Sequence, residues 1–179
     1  MRPSFDLRLQ TMMKAMTEVV LPAVDPDNSA AVEQANLVIG SLNLLTEQVE
    51  YAHWFAVADI YSHVELLNQL IDLSGLELEV EQKQAVNEAR KTAERWNVTL
   101  TEVESCGQQV RDFASELIEK IASLQDKALL EKTTEIVLQH SLPQVSRERA
   151  FVAKTNFDVN PDTLMSLKDA MKKYSPEPC

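Results

Sequence analysis

From Ala30 to Leu73 the chain has no proline, and one apolar seam runs through the whole stretch: Ala35, Val38, Leu42, Leu45, Val49, His53, Val57, Ile60, Val64, Leu67 and Ile71. Steps of three and four residues put these side chains on one face of an α-helix. Sustained this far, they predict a helix much longer than the globular norm with coiled-coil-like packing. Ser74-Gly75 supplies a stop, and a second seam follows through Val86, Ala89, Ala93, Trp96, Leu100, Val103, Gly107, Val110, Phe113, Leu117, Ile121 and Leu124. The expected fold is all-α, an elongated helical bundle built on a long antiparallel helical hairpin, about 30–73 and 79–125, with shorter flanking helices.

The flanks read as helices too. Ser4 is placed to cap a first helix through Phe5, Leu9, Met12, Met13, Met16 and Val20, ended by Leu21-Pro22. The loop from Pro22 delivers Asn28 or Ser29 to the next N-cap. Leu76 to Glu81 alternates with a two-residue period that also suits a strand, but no second strand stands nearby to pair with it. A helix entry with glutamates at the positive end of the dipole is the preferred reading. Asp126 starts a fourth helix that Pro143 is expected to break, and Asn160-Pro161 opens a last helix carrying Leu164, Leu167, Met171 and Tyr174 on one face. One all-helical domain, 1–174, followed by a flexible tail, 175–179, accounts for the length.

Composition excludes several classes of function. Three glycines, Gly40, Gly75 and Gly107, leave almost nothing from which to build a phosphate-binding loop. Seventeen basic against 28 acidic residues give a net charge of −11, which repels nucleic acid and anionic membrane. Cys106 and Cys179 form no disulfide framework or zinc set. With no signal-like or membrane-spanning run, a cytoplasmic protein is expected, with no nucleic-acid and no membrane partner.

If the hairpin turns at Gly75, residues whose numbers sum to about 150 face each other. His53 then meets Trp96 and Asn97, and Gly40 and Gly107 share one level, where close packing is the expected reason for both. Glu50-Tyr51-Ala52-His53 has the Glu-x-x-His spacing of ferritin-like di-iron bundles, but the second such motif and two further glutamates are absent. Glu50, His53, Trp96 and Asn97 remain a candidate ligand site, and Glu50, His53 and His140 a candidate mononuclear divalent-metal site. A hydrogen-bonded core histidine competes with both. Tyr61, His63 and Glu65 point in different directions around a helix and read as surface residues.

At 1.5 Å per residue the first helix spans about 27 Å and the last segments about 45 Å, too little to cover the tip of the hairpin. Phe55, Leu66, Leu70 and Leu73 would then form an exposed stripe suited to a homodimer, unless the last helix, Pro161 to Lys173, folds back over it. The function expected is that of a non-enzymatic interaction or adaptor protein, self-associating through the hairpin tip and open to a protein partner. The alternative is a ligand- or metal-binding bundle with an internal site near Glu50, His53, Trp96 and His140. No cofactor is expected beyond the divalent metal of that alternative.

Overall fold

The computed structural model describes residues 4–155 and 158–176, and every regular element among them is helical. The side chain of Ser4 caps α1 (Phe5–Ala15) by accepting from the Leu7 amide at 3.1 Å. That bond satisfies one of the orphan donors of a first turn. The chain widens through a π-helical segment, Met16–Val20, and closes with the short α2 (Leu21–Ala23). Asn28 then caps α3 (Ser29–Ser74), a 46-residue helix, by accepting from the Ala31 amide at 3.2 Å. Helix α3 stops where Gly75 takes φ 67°, a left-handed conformation that costs glycine little.

The second arm is not one helix. It divides into α4 (Val80–Glu94) and α5 (Leu100–Ser123), because Arg95 turns extended and Thr99 opens α5 with a capping box shared with Glu102. The two helices fold back on each other antiparallel: Gln82 donates to Glu116 at 2.8 Å, and Glu79 pairs with Lys120 at 3.9 Å. The turn of this hairpin is 95–99. Leu76 to Glu79 leads into α4 as a helix entry, with Glu79 at the N-cap.

Two expected boundaries also move. Pro143 does not break the chain but lies inside α6 (Lys127–Phe151), which Asp126 caps by accepting from the amides of Ala128 and Leu129. Proline in a helix interior costs about 3 kcal/mol. Packing of Leu129, Ile136 and Val137 against the core before it, and the bond of Arg147 to the Tyr174 carbonyl after it, hold both halves in one helix against that cost. Asn160-Pro161 opens only a 3₁₀ turn, Pro161–Thr163, in which Asn160 makes no side-chain cap, and the last helix, α7, runs Leu167–Tyr174.

The chain divides into two compact units, residues 1–51 with 149–167 and residues 52–148 with 168–179. The larger unit has one continuous apolar core. Ile60, Val64, Leu67 and Leu70 of α3 meet Val86 and Ala89 of α4 and Val103, Val110, Leu117 and Ile121 of α5, with Ile136 and Val137 of α6 packed against them. Each such fully buried Leu, Ile or Val contributes about 1.5–3 kcal/mol. Met171 of α7 is also fully buried. The smaller unit buries little, Leu9, Ala35, Ala150 and Leu167, and polar ties supply much of its cohesion. Gln48 donates to the Phe151 carbonyl at 2.9 Å, Lys154 pairs with Glu47 at 3.1 Å, and Arg149 grips Asp158 through two 2.8 Å bonds.

This arrangement corrects the expected tip. Leu66 and Leu70 are 5% and 0% exposed, members of the core rather than an exposed stripe, and Phe55 and Leu73 are half-buried. The fold-back at 95–99 is the reason, since it supplies a further helix to the hairpin. The expected tail lies partly outside the described residues. Ser175 and Pro176 are half-buried, and the Ser175 amide donates to the Met171 carbonyl at 3.1 Å.

Candidate functional site

Most of the residues singled out from the sequence stand at the surface. Glu50 and His53 are exposed, and Trp96 and Asn97 stand in the turn between α4 and α5 with the indole 92% exposed. A straight second arm would have put that indole on a seam opposite His53; the turn swings it into solvent. Among the described residues no three His, Cys, Asp or Glu side chains are grouped to hold a metal ion. Of the expected set only His140 lies in a structured polar environment.

That environment is a buried cluster in the larger unit. Asp59, Ser62 and His63 of α3 are all buried, and Tyr61 with them, against the expectation that 61 and 63 face solvent. The Nδ1 of His63 sits 2.8 Å from the Asp59 carbonyl oxygen of the preceding turn. As the carbonyl can only accept, Nδ1 carries the proton. The ring of His63 meets His140 of α6 edge-on at 5.3 Å, and His140 Nε2 lies 3.4 Å from Ser62 Oγ. Burial pushes the His140 pKa down to about 4, and the neighbouring His63 and Arg147 push in the same direction, so the imidazole is neutral at pH 7.

Two guanidiniums converge on Asp59. Arg111 of α5 pairs closely with its Oδ2, and Nη2 of Arg147, on α6, lies 3.9 Å from its Oδ1. Arg147 is 1% exposed, and its Nη1 donates to the Tyr174 carbonyl at the end of α7. Burial lowers the Arg147 pKa while Asp59 and Glu148 oppose that, yet a guanidinium keeps its charge in a protein. The Nε and Nη2 of Arg147 have no hydrogen-bond partner, nor does Oδ1 of Asp59. Beside the cluster opens a cleft of about 340 Å³, lined by Ser62, Gln69, Gln139, His140, Arg147 and Lys173 among others. One sequence signal could have found it: Asp59 is the one charge in the otherwise apolar run Trp54 to Ile60, and His140 and Arg147 stand seven apart on α6, hence on one face.

The smaller unit carries a different feature. Phe5, Met12 and Val19 follow one another at seven-residue steps on the first helical stretch, and all three are exposed. On α3, Leu37, Val38, Leu45 and Val49 are exposed as well. A groove of about 660 Å³ runs beside this face, lined by Val32, Leu37, Gly40 and Leu44, with Lys154 and Thr155 at its edge. Gly40 makes no close approach, since a methyl group there would meet nothing within 4 Å. Gly107, by contrast, is buried in ordinary contact range of Ile60, at 3.5 Å.

Among the described residues no helix is long and apolar enough to cross a membrane. Comparison with family models, curated proteins and solved structures gives no match, so the functional reading rests on this geometry.

Proposed function

We propose that the chain is a non-enzymatic interaction protein that self-associates as a homodimer, through the apolar face of its smaller unit rather than through the hairpin tip. The observation that carries this reading is the open apolar surface of α1 and of residues 29–51 of α3, in a unit whose buried apolar side chains, among the described residues, are Leu9, Ala35, Ala150 and Leu167. Two helices cannot enclose a core of their own, and apolar stripes left in water favour a partner.

A second copy is the occupant the sequence suits best, because one chain carries both halves of a complementary pair. Phe5 and Met12, seven residues apart on α1, present an apolar edge that Val19 of the π-helical turn extends, and Val32, Leu37, Gly40 and Leu44 line a groove. A two-fold axis would set each edge in the other copy's groove and assemble four helices around a shared core, the isologous arrangement commonest among soluble oligomers.

Native mass spectrometry tests the reading. The wild-type chain should give a dimer at micromolar concentration, and Leu37→Glu and Leu45→Glu should give monomers with unchanged helical circular dichroism. A monomeric wild type, or a dimer that survives both charged substitutions, would sink it.

A further inference from the structure

The polar cleft of the larger unit is independent of any dimer and asks for a ligand of its own. Asp59 is one carboxylate set between two guanidiniums, and its Oδ2 is taken by Arg111. Arg147 faces the remaining oxygen at 3.9 Å, too far for a hydrogen bond. One Arg147 nitrogen is engaged by the Tyr174 carbonyl, while Nε and Nη2 are buried without partners. An unsatisfied buried donor is costly, more so on a charged group. A guanidinium with two unpaired nitrogens has the planar fork that fits an oxyanion, and Arg147 is among the residues that line a cleft that could admit one.

We propose that this cleft between α3, α6 and α7 binds a small monocarboxylate, received by the buried Arg147 guanidinium, with Lys173 at the mouth and Ser62 and Gln139 as polar lining. The charge of the lining selects this class. Arg147 and Lys173 favour an anion, but Glu65, also in the lining and hydrogen-bonded to Gln69 at 3.2 Å, opposes a second negative charge. A phosphate dianion is therefore the poorer ligand. The volume, about 340 Å³, lies at the lower end of small-molecule sites, which suits a compact organic acid.

The test is the side-chain Nε–H resonance of Arg147 in the ¹⁵N-labelled full-length chain, titrated with sodium acetate and separately with inorganic phosphate, with sodium chloride holding ionic strength constant. Acetate should move this resonance saturably with a Kd in the millimolar range, and phosphate should bind several-fold more weakly. Lys173→Gln, an exposed change that leaves the core intact, should weaken acetate about threefold to tenfold, a modest electrostatic loss on the affinity scale. Arg147→Lys, where it folds, should abolish binding as followed on the neighbouring His140 ring protons. The proposal is overturned if acetate leaves the resonance where chloride leaves it, if phosphate binds more tightly than acetate, or if Lys173→Gln binds as well as wild type.

Discussion

Oδ1 of Asp59 and Nη2 of Arg147 face each other at 3.9 Å inside the larger unit, and neither atom has a hydrogen-bond partner. Two buried opposite charges held just beyond bonding distance stabilise each other by attraction alone, while each has given up hydration. Removing one partner strands the other, so Asp59→Ala is expected to destabilise the protein by about 3–5 kcal/mol. The double change Asp59→Leu with Arg147→Met should cost clearly less than the sum of the two single changes. Urea unfolding of the four variants measures this; strict additivity would mean that the two charges do not interact.

His140 makes stability depend on pH in a definite direction. Its pKa is pushed from 6.5 to about 4 in the folded chain, while in the unfolded chain it returns to the ordinary value. Between those limits the unfolded state binds more protons, so stability rises with pH. The contribution is complete above pH 6.5 and is lost as pH falls toward 4. Because the ring is only partly buried, the wild type should lose about 1 kcal/mol more than His140→Gln between pH 7 and 5, after discounting for solvent screening. Equal losses in the two proteins would contradict the assignment.

The two helical glycines should both be improvable. Gly40 has open space where a methyl group would go, and at Gly107 the nearest atom, Cγ1 of Ile60, is 3.5 Å away, an ordinary contact. Neither has a left-handed backbone, so alanine should stabilise each by about 0.5–1 kcal/mol through helix propensity. Thermal unfolding reads the change. A loss at Gly107→Ala would show that the Ile60 side chain cannot give way; a loss at Gly40→Ala, in the lining of the groove, is expected only if a second copy packs closely there.

Much of the fold was legible because its signals are local. Ser4, Asn28, Gly75 and Asp126 act where side-chain and backbone chemistry places them, each through its own hydrogen bond or dihedral preference. The turn at 95–99 was hidden for a specific reason: Ala93 and Leu100 stand seven residues apart, so the heptad runs across the turn as if the helix continued. The Thr99–Glu102 capping box was the competing signal, and it prevailed. At Pro143 the reverse happened. A strong local breaker was overridden by tertiary contacts on either side of it, which no window of sequence contains.

The candidate sites followed the same logic. Glu50, His53, Trp96 and Asn97 were brought together only by assuming a straight second arm, and all four are exposed. The cluster that does form joins Asp59, Arg111, His140 and Arg147, residues up to 88 positions apart on α3, α5 and α6, and single-helix spacing cannot report such a meeting.

The amino-acid sequence by itself determined that this chain is helical, where most of its helices begin, and which faces are apolar, because propensity, capping and periodicity act over a few residues. Only the tertiary structure decided which apolar faces find partners within the chain, where the second arm folds back, and which charges are drawn out of water. Those outcomes depend on free energies of burial and desolvation summed over residues far apart in sequence, and they exist only once the helices have packed.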